Sequence, residues 1–142
     1  MQAVKIAFVA LLGAVLAADN FTEEQYKLAK NLADACHAEL GGDLPENFGT
    51  RIGHELFDLP SEASKCNVHC IFHKLGTVNE DGTTNREGLL KQLTKGHSVE
   101  KAEALADLCV KENEGETKCQ RAYSLYQCYH KNKSLLGQAA KA

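Results

Sequence analysis

Apolar residues recur along this chain at helical spacing, and no stretch alternates as a strand would. Leu28, Leu32, Cys36 and Leu40 fall every fourth residue with Ala29 and Ala33 alongside. Thr22 and Gln25 form a capping-box pair before them and Gly41-Gly42 follows, so a first helix is expected from about Thr22 to Leu40. Leu44, Phe48, Ile52 and Leu56 keep that period after Pro45 and before Pro60, predicting a shorter second helix. The third holds Val68, Ile71, Phe72 and Leu75, with Ser64 as its expected cap and Gly76 as its stop. Thr77 to Thr83 reads as a turn around Asp81-Gly82. A Thr84/Glu87 capping box then opens a fourth helix with Leu89, Leu90 and Leu93, ended by Gly96. Ser98 caps a fifth, with Val99, Ala102, Leu105, Ala106, Cys109 and Val110 on its apolar face and Gly115 beyond it. The sixth runs from Thr117 to Lys131, and a short tail carries Leu135-Leu136. The fold class is therefore all-α, with six helices.

The cysteines tie this pattern together. On a helix, Cys66 and Cys70 lie one turn apart on one face, where they can bridge to two different neighbours. Cys119 and Cys128 would stand about 13 Å apart along one helix, too far to bond, and on nearly opposite faces. Excluding both bonds leaves ten of the fifteen pairings that six cysteines allow.

The first residues read as an address rather than as fold. One positive charge lies before Ile6, an apolar run extends to Leu16, and Val15-Leu16-Ala17 offers small residues for cleavage. Residues 1–17 are thus expected to be a secretory signal peptide and 18–142 the mature domain, secreted and extracellular. The apolar run is too short to span a bilayer, so stable membrane insertion is not expected. In the oxidising compartment this implies, six cysteines would form three disulfides. The net charge of −3, the scattered cations and the lack of Trp argue against nucleic acid as a partner.

Enzymatic chemistry finds no foothold, and no cofactor is implied. His69 and His73 have an i,i+4 spacing that suits a metal, but the neighbouring Cys66 and Cys70 would be spent on disulfides, so no metal is expected. Cys66-x2-His69-Cys70 is loosely similar to the helix of secreted phospholipases A2, without their adjacent cysteines, glycine-rich calcium loop or aspartate motif. With Gly82 at the sixth place of an EF-hand loop, the first place is Thr77 and the twelfth Gly88, neither a suitable ligand. Asn20-Phe21-Thr22 and Asn132-Lys133-Ser134 are glycosylation sequons near the two ends.

The cysteine register C-x29-C-x3-C-x38-C-x9-C-x8-C, the Asp81-Gly82 turn and the Tyr123, Tyr126, Tyr129 set together carry a resemblance. Over Phe21 to Lys131 the chain resembles the insect odorant-binding proteins, the pheromone and general odorant-binding family. The resemblance implies a compact six-helix, disulfide-stapled domain around an apolar cavity, with interlaced bonds Cys36–Cys70, Cys66–Cys119 and Cys109–Cys128. It implies a carrier of small hydrophobic molecules, odorants or pheromones, through aqueous fluid, and not an enzyme. The partner is then a small apolar or amphipathic ligand, with a chemosensory receptor or a second copy of the chain as protein partners to consider. Two alternatives keep the helices and change the task. One is a non-olfactory carrier or scavenger in haemolymph, saliva or reproductive fluid; the other is a secreted helical interaction protein with no cavity.

The expected cavity wall is Phe57, Leu59, Phe72, Leu75, Leu89, Leu93, Tyr123 and Tyr126, with His73 as a polar contact. A cavity of roughly 300 Å³ would cost about 7 kcal/mol empty, a load that three disulfides at about 2–4 kcal/mol each can offset. Six histidines raise pH-triggered release as a hypothesis, against surface imidazoles that titrate without consequence. The tail, with His130, Lys131, Lys133 and Lys141, does not read as an apolar helix able to plug a cavity.

Overall fold

A computed structural model describes residues 20–137; the expected signal peptide, residues 1–17, lies outside them. Six α-helices follow in order: α1 (Glu23–Leu40), α2 (Phe48–Arg51), α3 (Glu62–Leu75), α4 (Arg86–Leu93), α5 (Val99–Glu112) and α6 (Lys118–Asn132), with a 3₁₀ turn at Lys133–Leu135. Among the described residues there is no strand, only a single antiparallel bridge between Val78 and Thr84 astride the Asp81-Gly82 turn.

Side-chain caps set most helix starts. Thr22 and Gln25 exchange both bonds of a capping box, and the hydroxyls of Ser98 and Thr117 accept from the backbone three residues on. Two caps differ from expectation. Ser61, not Ser64, caps α3, so Ser64 is a buried first-turn residue whose N–H donates to Ser61 Oγ. Asn85, not Thr84, caps α4, because Thr84 is held in the bridge to Val78. Gly76 ends α3 in the left-handed conformation at φ 80°. A side chain at Gly88 could not fit: its Cβ would lie 1.8 Å from the Gly76 carbonyl, so α4 docks directly on that turn.

Helix α3 packs against α1 on one side and, most extensively, against α6 on the other. Disulfides fix both contacts: Cys70 bonds Cys36 of α1, Cys66 bonds Cys119 of α6, and Cys109 of α5 bonds Cys128 of α6. Their Cα separations of 5.9, 4.6 and 5.6 Å suit unstrained cystines. The opposed faces of Cys119 and Cys128 thus serve different helices.

Two apolar clusters form the interior, and α6 belongs to both. One joins Ala33, Phe48, Ile52, Leu59, Val68 and Ile71 to Ala122 and Tyr126. The other joins Leu89, Leu93, Leu105 and Ala106 to Leu125, Tyr129 and Leu136. Phe72 packs against each.

The apolar stripe of α1 turns away at its ends. Leu28 and Leu40 are 41% and 53% exposed, while Ala33 and Cys36 are buried. A four-residue repeat advances about 40° per step on a helix of 3.6 residues per turn, so the stripe rotates by about 120° from Leu28 to Leu40. Helix α2 is only one turn long, which leaves Leu56 outside it and exposed. Val99 and Val110, at the two ends of the α5 face, are exposed as well.

The tail is part of the core as far as Leu136. Leu136 is 2% exposed within the α4–α5–α6 cluster. The Asn20 amide donates to the carbonyls of Lys133 (3.2 Å) and Gly137 (2.7 Å), clasping the start of the domain to its end. Asn132 donates to the Cys128 carbonyl at 2.9 Å, so both sequon amides are engaged by backbone in the fold.

Candidate functional site

The seam between the two clusters is not filled. A cavity of about 80 Å³ lies there. Ile52, Ile71 and Tyr126 line it from one cluster, Leu89, Leu93, Leu125 and Tyr129 from the other, with Phe72 between. Phe21 and the first turns of α1, through Gln25, Leu28 and Ala29, close the remaining side, and the half-exposed Leu28 marks its approach to solvent. At about 24 cal/mol per Å³ the void costs about 2 kcal/mol, well below the load expected from a larger cavity. It is roughly half the volume of an apolar cavity that holds benzene, about 150 Å³. A chain-like guest must therefore push the wall outward.

Five of the expected wall residues stand here: Phe72, Leu75, Leu89, Leu93 and Tyr126. Four do not. Phe57, Leu59 and Tyr123 belong to the first cluster but are absent from the cavity wall. Tyr126 is the divider. Its hydroxyl donates to the Glu55 carbonyl at 2.6 Å and accepts from the Phe57 N–H at 3.2 Å, and burial pushes its pKa up to about 12. That pair of bonds holds the Glu55–Phe57 segment on the outer side, where Arg51 stacks over Phe57 at 4.0 Å. Lys65 covers Tyr123 in the same way. His73 points to the surface and meets the Glu80 carboxylate at 3.4 Å. The polar contact expected of it in the cavity is therefore not made. Its ring lies parallel to that of His69, whose Nε2 faces the Glu80 carbonyl at 2.9 Å.

The wall also contains residues that the sequence did not assign to it: Phe21, Gln25, Ile71, Gln92, Leu125, Tyr129 and His130. Ile71 and Leu125 follow the helical period of Phe72 and Tyr126 and were within reach of it. Phe21 precedes the first helix, so no periodicity points to it. Its ring stacks on Tyr129 at 4.8 Å, only 2° from parallel.

Most polar groups around the cavity are turned toward the protein. Gln25 caps Thr22 through its oxygen and donates to the Gln92 carbonyl, and Thr77 donates to the Phe72 carbonyl. His130 is buried, contrary to the expectation of surface imidazoles. Its Nε2–H donates to the Ile52 carbonyl at 3.1 Å, and Nδ1 accepts from Lys133 Nζ at 3.3 Å. Burial, and secondly the Lys133 charge, push its pKa down to about 4, so it is neutral at physiological pH. Of the potential metal ligands among the described residues, Glu62, Cys66 and Cys119 converge, but both sulfurs lie in one disulfide.

A cystine-stapled helical shell around an apolar void is the architecture of a small-ligand carrier. Residues 18–132 match the model of the PBP/GOBP family, and the chain belongs to that family of insect odorant-binding proteins. It is 33% identical over 110 residues to general odorant-binding protein 56a of Drosophila melanogaster, covering 78% of this chain and 76% of that protein. Among solved structures it is similar to the fatty acid binding protein OBP56a from the oral disk of the blowfly Phormia regina. That match has 28% identity and a TM-score of 0.63, and covers 82% of this chain and 97% of the other. Odorant binding protein 7 of Anopheles gambiae, solved with four disulfide bridges and an azo compound, matches at 27% identity and TM-score 0.52, over 82% and 97%.

Proposed function

We propose that this chain is a secreted carrier that takes a small apolar or amphipathic molecule into the cavity between α1, α3, α4 and α6 and conveys it through extracellular fluid. The observation that carries the reading is the unfilled seam between the clusters, walled by aliphatic and aromatic groups. Binding then needs no covalent step. Each methylene removed from water contributes about 0.8 kcal/mol, so about eight of them reach about 6 kcal/mol, an affinity of tens of micromolar.

The relatives support cargo of this kind, since one is described as fatty acid binding and another was solved with an azo compound. The secretory leader read at residues 1–17 supports export, and no helix among the described residues is long and apolar enough to cross a membrane. Delivery to a chemosensory receptor belongs to the proposal, as does pairing of two copies. A non-olfactory setting has one specific support: the blowfly relative comes from the oral disk, so a carrier in mouthpart fluid is the second reading.

The test is mass spectrometry of organic extracts from the purified, secreted protein, paired with displacement of a fluorescent naphthylamine probe. A co-purifying apolar compound that also displaces the probe is the expected result. A protein with all three disulfides intact that neither carries such a compound nor takes up the probe would overturn the carrier reading and favour a secreted interaction protein.

A further inference from the structure

Four wall residues of the cavity lie outside the helices: Phe21, Ile52, Gly53 and Thr77. Ile52 and Thr77 donate their backbone N–H groups to the helices they follow, at the carbonyls of Phe48 and Phe72. Gly53 is enclosed between Ile52 and His54, whose N–H donates to the Arg51 carbonyl. Phe21 is held differently. Its N–H donates to the Tyr26 hydroxyl at 3.4 Å, and its ring lies flat on Tyr129 and edge-on to Tyr26 at 5.6 Å. Asn20 beside it is fastened through side chains. Its amide donates to the Lys133 and Gly137 carbonyls, and its own carbonyl faces His97 Nε2 in the loop between α4 and α5. His97 Nδ1 faces the Leu136 carbonyl at 3.2 Å, so one imidazole spans the start of the domain and its tail. A neutral imidazole has a single N–H and donates to only one of those carbonyls at a time. The junction is therefore made of few bonds, and neither a helix nor a disulfide secures it.

We propose that Asn20–Phe21 is a strap across the cavity, latched by the Asn20 and His97 side chains, and that cargo enters and leaves where this strap lifts. The inference rests on the carrier reading above and supplies its entry route. A void of about 80 Å³ must widen for a chain-like guest, so some part of the wall has to move. The disulfides tie α1 to α3, α3 to α6 and α5 to α6, and they resist separation of those helices. Lifting the strap breaks only the latch and the contacts of Phe21 with Tyr129 and Tyr26. A segment held by so few bonds opens at far lower cost than the helices behind it. Its opening uncovers Tyr129 and the side of the cavity that Phe21 shares with Gln25 and Leu28. Neither Asn20 nor His97 lines the cavity. The latch thus sets how fast cargo exchanges and leaves affinity to the wall.

The experiment is stopped-flow fluorescence of the naphthylamine probe, giving association and dissociation rates for the native chain, Asn20→Ala and His97→Ala. Losing the two Asn20 amide bonds should populate the lifted strap about tenfold more, and losing His97 about fivefold more. Association and dissociation should quicken together by those factors. Kd should stay within about twofold, because the latch is the same whether the cavity is empty or filled and its loss cancels from the equilibrium. A purely structural role for these residues would lower the urea midpoint without quickening association. The two substitutions cut the latch from opposite sides, so either one suffices if the other does not fold. Unchanged rates, or faster dissociation with no faster association, would overturn the strap. Those results leave the carrier reading standing as long as the native chain takes up the probe. If the native chain takes up none, both readings fall.

Discussion

Acid should loosen this fold chiefly through His130. The imidazole is neutral in the folded chain, with Nε2–H given to the Ile52 carbonyl and Nδ1 accepting from Lys133. Its folded pKa is about 4 against an ordinary 6.5, so between those values the unfolded chain binds a proton that the folded chain does not. The stabilisation from a neutral, buried His130 is fully present above pH 6.5, is lost progressively as pH falls to about 4, and changes no further below. At 1.36 kcal/mol per pH unit, that gap is worth about 3 kcal/mol. Urea denaturation of the native chain and of His130→Gln, measured from about pH 7.5 to about pH 4, isolates it. Glutamine can keep a donor near the Ile52 carbonyl but does not titrate in this range. The stability difference between the two proteins should shrink by about 3 kcal/mol across the window. The remaining histidines are common to both and drop out of the difference. The Asp81 and Asp107 carboxyls, held below the ordinary range chiefly by hydrogen bonds from Thr83 and Arg86, titrate below the window. Parallel curves would refute the reasoning and mean that His130 takes up its proton without loss of packing.

Removing the Cys109–Cys128 bond by a double alanine substitution should cost about 3 kcal/mol, and the other two bonds about 4 kcal/mol each, because their loops are longer; urea midpoints of the three variants give the order. Leu75→Trp should abolish probe uptake while changing stability by less than about 1 kcal/mol, since the indole enters space already present; fluorescence titration beside a thermal melt checks both halves. Leu136→Ala should destabilise the domain by about 2–3 kcal/mol, as expected of a core leucine and not of a free tail; a small effect in urea would show that the tail is not integral.

The helix starts and stops were legible in the chain because they depend on neighbours only three or four residues away. Thr22 with Gln25, Ser98, Thr117 and Gly76 act where the sequence places them. The cysteine register was legible for the same reason: spacing on a helix decides which face each sulfur occupies, and the faces of Cys66, Cys70, Cys119 and Cys128 limit their partners. Ser61 and Asn85 displaced the expected caps where the preceding loop, and not the helix, decided the boundary.

Depth was not legible. Helical period shows that Tyr123 and Tyr129 share a side of α6 with Tyr126, and hydrophobicity alone marks Phe57 and Leu59 in the loop, but neither says on which side of Tyr126 each will lie. That depended on two tertiary bonds from the Tyr126 hydroxyl, which fasten the Glu55–Phe57 segment outside the cavity and leave Tyr129 inside it. The burial of His130 and Leu136 was likewise decided by what α2, α4 and α5 bring against the end of α6. Local sequence fixes a residue's direction from its own helix axis, whereas a cavity is the space that several helices, docked together, fail to fill.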